Sequence, residues 1–354
     1  MKILVTGGAG YIGSVLVNKL IDSGHQVKVI DDLSNGFKEN IDESANFIEG
    51  SILDDDKLNQ ALDGVEAVFH LAAKIRVEEG EREPELYKKV NIEGTLNLIN
   101  KCVEKKIKKL VFASTAAVYG DPEDYPVNEK SRVNPVNVYG ATKLEIDQYL
   151  EKNAKSLGIS SICFRFFNIG GALQTKKGNW LKIKHEGATH LIPSILHSSN
   201  QKPLFIFGND WATKDGTPTR DFVHVVDLAD ALIKSLTKLE VSGNQVINLG
   251  TSTGSTVLEV VKTAEVSLKK SISYQFAARR AGDSFALVTS NEKAKQVLGW
   301  VPNKSLSEIL QDAQSEMISN QFGEVIFYLK QFLVFDWPSL LELFQLNNQF
   351  DYQK

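Results

Sequence analysis

The glycine run from Thr6 to Gly13, T-G-G-A-G-Y-I-G, constrains this chain more than any other stretch because of what flanks it. Before it stands the strand-like Lys2-Ile3-Leu4-Val5. After it, Tyr11 to Asp22 carries Ile12, Val15, Leu16 and Leu20 at helical spacing, with Gly24 placed to end the helix. Glycine patterns alone are common in tight turns; set between a strand and a helix, this one is a dinucleotide fingerprint. Gly7 can make the turn, Gly10 lets backbone approach a pyrophosphate, and Gly13 lets helix and sheet pack closely. Tyr11 and Ile12 open the helix inside the same motif, where free N–H groups and the positive dipole end favour phosphate. Asp31 and Asp32 follow about 20 residues on, where a carboxylate can accept from ribose hydroxyls and repels a 2′-phosphate, so NAD is expected over NADP. Asp31 is the expected ribose ligand, and the other reading is that one of the two only caps the following turn.

Short apolar runs near residues 2 to 6, 26 to 31, 66 to 71, 108 to 113 and 159 to 166 alternate with helical patterns. Parallel strands joined by crossover helices give that order, so the fold class is α/β, a doubly wound parallel sheet. With 354 residues the chain exceeds one core, and a second domain is expected. Residues 1–168 read as the NAD-binding part. A strand, helix and strand at Phe222–Val226, Asp227–Lys238 and Gln245–Leu249 read as a return to the sheet, near 222–250. Residues 169–221 and 251–320 then form a smaller, discontinuous α/β substrate domain, with a helix near 191 to 199.

The net charge of -4 gives no basic field for a phosphate backbone, so nucleic acid is not an expected partner. Cys102 and Cys163 are too few for a disulfide framework or a metal site and suit a reducing cytoplasm. No export signal is visible at the N-terminus. Between Val325 and Leu346 the chain is apolar, but Lys330, Asp336, Pro338 and Glu342 interrupt it, so no membrane span is expected.

Tyr139 and Lys143 lie four residues apart in the helical pattern Val138 to Leu157, so both side chains leave one face. A phenol titrates near 10, and an ammonium beside it favours phenolate, making an acid–base group matched to an alcohol. The pair alone is often a core tyrosine and a surface lysine. Here Leu110 to Ala113 delivers Ser114 and Thr115 to a strand's carboxyl end, where open α/β sheets place ligands. Thr115, Tyr139 and Lys143 are therefore the candidate catalytic residues, with Ser114 as a helper.

F-A-S-T-A-A-V-Y-G from Phe112, followed by Y-G-A-T-K from Tyr139, resembles the extended short-chain dehydrogenases/reductases. Within them the chain is most similar to the UDP-glucose 4-epimerase (UDP-galactose 4-epimerase) family. D-D-L-S-N from Asp31, H-L-A-A from His70, R-F-F-N from Arg165 and T-H-L-I-P from Thr189 carry the likeness, as do I-F-G-N-D from Ile206, D-G-T-P-T-R-D-F-V-H from Asp215 and R-R-A-G-D from Arg279. The resemblance implies that Asn35, Ser51, Ile52, Leu71, Ala72, Ala73, Asn91 and Phe166 join the cofactor site. Ser51 stands where that family often has an acidic residue facing adenine. It implies that Asn168, His190, Leu191, Phe207, Arg220, Arg280 and Asp283, with Thr115, hold a UDP-sugar, and that two copies form a homodimer through helices near 85 to 105 and 138 to 157.

The implied reaction is C4 epimerisation. Tyr139 takes the proton of the sugar 4-hydroxyl while hydride passes to NAD, the 4-keto sugar turns over, and hydride returns to its other face. Ala116 and Ala117 stand where related 4,6-dehydratases place acidic residues, which speaks against elimination. Leu287 stands at the sugar pocket where relatives carry a gatekeeping tyrosine, beside the replacements Ser284 and Phe285. Two alternatives remain at this point: a 4-epimerase of another UDP-sugar (N-acetylhexosamine, pentose or uronic acid), and a non-catalytic NAD-binding regulator. The likeness ends near residue 320; residues 321–354 are dense in aromatics and read as a packing helix.

Overall fold

The computed structural model describes residues 1–123, 125–185, 190–280 and 282–332, with side chains given through Gln321. The aromatic side chains expected to pack beyond that point lie outside the described residues. The chain divides after Glu316 into two compact units.

In the first unit, β1 (Lys2–Thr6), β2 (Gln26–Asp31), β3 (Asn46–Glu49), β4 (Ala67–His70), β5 (Lys109–Thr115) and β6 (Ser160–Phe166) form one parallel sheet. After β7 (Asn168–Gly170), β8 (Leu204–Phe207) and β9 (Thr219–His224) comes β10 (Gly243–Leu249), which pairs with β6 and completes that sheet. Among the described residues its order is β10-β6-β5-β4-β1-β2-β3. The connections run one way from β1 and the other way from β4, so the switch point lies between them. Open sheets of this kind bind ligands there, outside the carboxyl ends of the strands.

Helix α1 (Tyr11–Asp22) sets Leu16, Val17 and Leu20 on one face of the sheet, against Val29 and the Leu228, Ala231 and Leu232 of a later helix. On the other face lie α2 (Asp55–Leu62), then, after the short α3 (Val77–Arg82) and α4 (Pro84–Tyr87), α5 (Gly94–Glu104) and α6 (Val138–Asn153). Leu58, Leu62, Leu98, Ile99, Ile146 and Leu150 from this layer pack on Leu4, Val68, Leu110 and Phe112. Both faces are covered, which is why these strands read as continuous apolar runs.

The structure departs from the sequence reading at several places. The edge strand β3 is absent from that reading because Asn46–Glu49 is short and polar at both ends. The run at Phe222 does not return to the main sheet. It belongs to β9, which pairs with β7, β11 (Gly254–Thr256) and β12 (Ala286–Leu287) in a second sheet, and α8 (Val225–Ser235) leads from it to β10. The physical reason is Asp221, fully buried, whose carboxylate accepts from the amides of Thr251 at 2.7 Å and Ser252 at 3.0 Å and so fastens β9 to the loop after β10. The expected boundary near residue 168 falls inside the first unit, where the main sheet gives way to the smaller ones. Helix α7 (Leu191–Leu196) is shorter than expected, and α6 ends before residue 157.

Candidate active site

Gly7 has φ of 72°, and a Cβ there would lie 2.7 Å from the amide nitrogen of Ala72. At Gly13 a Cβ would lie 2.0 Å from the carbonyl oxygen of Gly7. The turn is thus pressed between β4's continuation and α1, and only glycine fits both places. Thr6 and His70 end the adjacent strands β1 and β4; Thr6 Oγ1 is 2.7 Å from His70 Nδ1 and accepts from the Ala72 amide at 3.2 Å. His70 Nε2 meets Thr95 Oγ1 at 2.8 Å. Burial first and the nearby Lys143 charge second push the His70 imidazole down to about 3, so it stays neutral and serves as a strut.

Asp31, at the end of β2, accepts from the amides of Ala9 at 2.9 Å and Leu33 at 2.8 Å. Burial raises its carboxyl above the usual range, against those backbone hydrogen bonds. Asp32 accepts from the amide of Ser34 at 2.9 Å and caps the turn. Both carboxylates cap the turn after β2, and Asp31 alone also ties that turn to the glycine run through Ala9.

A cleft along the switch point is lined by Gly7, Gly10, Tyr11, Ile12, Gly13, Asp31, Asp32, Asn35, Ser51, Ile52, Leu71, Ala72, Ala73, Ser114, Tyr139, Lys143 and Phe166, all singled out from sequence. Ser34, Gly36, Lys74, Val90 and Ala113 line it as well and were missed. Asn91 does not line it. Its buried carboxamide binds Lys74 from behind, accepting from the Lys74 amide at 2.8 Å and donating to its carbonyl at 2.9 Å, so it fixes a wall residue without facing the cleft. A long segment after β7 closes the fingerprint side: Tyr11 Oη donates to Gly171 O at 2.6 Å, and Asn40 exchanges two hydrogen bonds with the Lys182 backbone, at 2.8 and 2.7 Å.

Thr115 ends β5, accepts from the amide of Ala117 at 3.2 Å and lies near the Tyr139 phenol. Asn137 caps α6 by accepting from the Gly140 amide at 2.7 Å, which sets where Tyr139 and Lys143 enter the cleft. Lys143 is buried and donates to Ala113 O at 2.8 Å, with its Nζ 4.7 Å from the centre of the Phe112 ring. The charge balance differs from the sequence expectation. Burial pushes Tyr139 up to about 12, and the Thr115 hydroxyl lowers it only in part. Burial pulls Lys143 down to about 8, against the nearby Asp147. Desolvation is the largest influence on both groups. Ser114 Oγ is buried without a hydrogen-bond partner among the described residues.

The residues expected at the sugar nucleotide fall into separate groups. Arg220 donates through Nη1 to Thr219 O and Ser284 O, both at 2.9 Å, while Nη2 lies 3.5 Å from Asp283. Leu287 pairs with Arg220 in register. The Arg280 guanidinium stacks 3.7 Å above the Phe207 ring, beside a shallow depression lined by Gly208, Asp210, Phe276 and Arg279. Asn168 begins β7; His190 and Leu191 start α7, where burial and the Arg76 charge lower the His190 imidazole.

The model of the NAD dependent epimerase/dehydratase family matches residues 3–250. The chain belongs to that family. A UDP-glucose 4-epimerase of Corynebacterium glutamicum is 40% identical over 318 residues, covering 88% of this chain and 94% of the relative. The crystal structure of UDP-glucose 4-epimerase from Brucella ovis in complex with NAD superposes with a TM-score of 0.82 at 34% identity, over 89% of this chain and 97% of that one. That of the Thermotoga maritima UDP-glucose 4-epimerase with UDP-glucose gives 0.80 at 32% identity, over 91% of this chain and 100% of the other. As a member of the NAD dependent epimerase/dehydratase family, the chain takes NAD as its cofactor.

Proposed function

We propose that this protein inverts C4 of a UDP-hexose, interconverting UDP-glucose and UDP-galactose through a 4-keto sugar with NAD. The observation that carries the reading is the placement of Tyr139 and Lys143, from one helix, in the same cleft that the glycine turn and Asp31 line. Bound NAD supplies the hydride acceptor and donor. Tyr139 holds the proton exchanged with the sugar 4-hydroxyl, Thr115 aligns the phenol, and Lys143, tied to Ala113 O, lends positive charge when the phenolate forms. The raised phenol makes Tyr139 a strong base once ionised and a reluctant one before, which suits taking a proton from an alcohol only as hydride leaves.

Asn168, His190, Leu191, Phe207, Arg220, Arg280 and Asp283 would hold the nucleotide end, and the guanidinium fork suits a diphosphate. Anchoring at that distance lets the pyranose turn while the ketone stays trapped. The family resemblance and two free, buried cysteines support a cytoplasmic homodimer serving galactose metabolism. No helix among the described residues is long and apolar enough to cross a membrane.

The test is incubation with a panel of UDP-sugars and separation of the C4 epimers. UDP-glucose and UDP-galactose should interconvert without added reductant, and Tyr139→Phe should abolish turnover while keeping NAD bound. No epimer from either hexose, or near-normal turnover in Tyr139→Phe, would defeat the proposal. Faster turnover of an N-acetylated, pentose or uronic sugar would move the assignment to that substrate.

A further inference from the structure

The face of the main sheet under α6 carries a polar row at its carboxyl end. Ser114 on β5, Arg165 on β6 and Asn248 on β10 stand side by side in register, and all three are buried. Asp147, one turn after Lys143 on α6, descends onto this row. Its Oδ2 accepts from Arg165 Nε at 2.9 Å, with both side chains under a tenth exposed. Arg165 Nη1 also donates to Tyr119 Oη at 3.0 Å, and Tyr119 passes its own proton to Asn248 Oδ1 at 2.7 Å. Asp147 Oδ1 has no hydrogen-bond partner among the described residues. An ion pair this deep is weak support for stability, since well-packed apolar residues of similar size usually serve as well.

The groups around Lys143 show what the pair is for. On β5 it meets Ala113 O and the Phe112 ring; on β4, neutral His70; on β6, the Cys163 thiol, with Arg165 beyond; on α6, Tyr139 and Asp147. Asp147 is the carboxylate among them, and its field on Lys143 opposes the burial that would strip the ammonium of its proton. Burial also raises Asp147's own carboxyl, and the Arg165 guanidinium opposes that shift. Spacing of four residues along one helix puts Asp147 and Lys143 on the same face.

We propose that Asp147 is a positioning residue for Lys143: paired with Arg165, it holds a negative charge on the helix face that carries Lys143 and so favours the ammonium beside Tyr139. Asp147 itself touches neither substrate nor cofactor. The relevance to catalysis rests on the reading of Tyr139 and Lys143 as the acid–base pair; the charge coupling does not.

The experiment follows the Lys143 side chain directly, by NMR titration of protein labelled at lysine Cε, its signal assigned by loss in Lys143→Met. In Asp147→Asn the midpoint should fall by about one pH unit or more, as expected when an opposite charge within a few ångströms is removed. Asp147→Glu should restore it. Asp221→Asn, which strips an equally buried carboxylate from the second sheet, should destabilise the fold and leave Lys143 in place. Should the single Asn variant fail to fold, Asp147→Asn with Arg165→Met removes both partners of the ion pair and should fold with the midpoint still lowered. The alkaline limb of kcat/KM for UDP-glucose should move down in parallel, with the loss in kcat rather than KM. A wild-type protein without epimerase activity would overturn the functional reading and still leave the titration to decide the coupling. An unmoved Lys143 midpoint in folded Asp147→Asn or in the double variant overturns the proposal, as does failure of both to fold, because packing and not charge would then be what Asp147 supplies.

Discussion

Replacing Gly13 by alanine separates two physical effects that point in opposite directions. Gly13 lies inside α1 with an ordinary helical backbone, so alanine would stabilise the helix by about 1 kcal/mol if there were room. There is none: the added Cβ would stand 2.0 Å from Gly7 O and 2.8 Å from Gly8 Cα, more than an ångström inside ordinary contact. The turn has no retreat, because Gly7 already lies against Ala72 and its amide donates to Ile30 O at 2.9 Å. Overpacking of this kind costs about 1 to 3 kcal/mol, and backbone that can move only by breaking the turn sits at the upper end. The net expectation is a loss of about 2 kcal/mol, several degrees in melting temperature, and a fall of more than about tenfold in NAD affinity as the amides of the turn lose their alignment. Thermal unfolding and NAD content after gel filtration measure both. Gly24→Ala is the control: φ there is 82° with nothing near the added Cβ, so it should lose about 1 kcal/mol from backbone strain alone and keep its NAD. A Gly13→Ala protein that melts higher and retains NAD would refute the reasoning.

Lys143→Met should change how stability depends on pH. The folded lysine titrates near 8 against 10.5 in the open chain, so between these values the unfolded state holds a proton that the native state has released, and stability rises with pH. Below about 8 the full cost of the buried ammonium is present. Wild type should therefore gain about 2 kcal/mol between pH 8 and 9.5 relative to Lys143→Met, read from urea unfolding at each pH; parallel curves would show that Lys143 is not desolvated. Asn91→Ala should cost about 2 kcal/mol and lower NAD retention by unpinning Lys74, although Asn91 does not face the cleft. Unchanged NAD content in that variant would make Asn91 a packing residue only.

The parts of the fold that could be read from the sequence are those whose burial leaves a mark on composition. β1, β2, β4, β5 and β6 are covered on both faces and show as apolar runs, whereas β3 is a four-residue edge strand beginning with Asn46 and ending with Glu49. The runs at Phe222 and Val246 look alike in sequence, and only the contacts of Asp221 decide that the first belongs to another sheet. In the site, spacing was enough to bring Tyr139 and Lys143 to one cleft with Thr115 beside the phenol, because a helix fixes which residues share a face. The sign of the phenol's shift was not legible, since it depends on how dry the cleft is. Asp147 had a signal that went unused: it continues the same helical face one turn beyond Lys143.

The two hydrogen bonds between Asn40 and Lys182 join positions that are far apart along the polypeptide. A ribosome that has released only the first six strands has made the whole dinucleotide fingerprint, yet the flank that closes it has not been synthesised. That flank is completed only past the middle of translation, and a fragment cut after β6 would present the glycine turn with its side wall open.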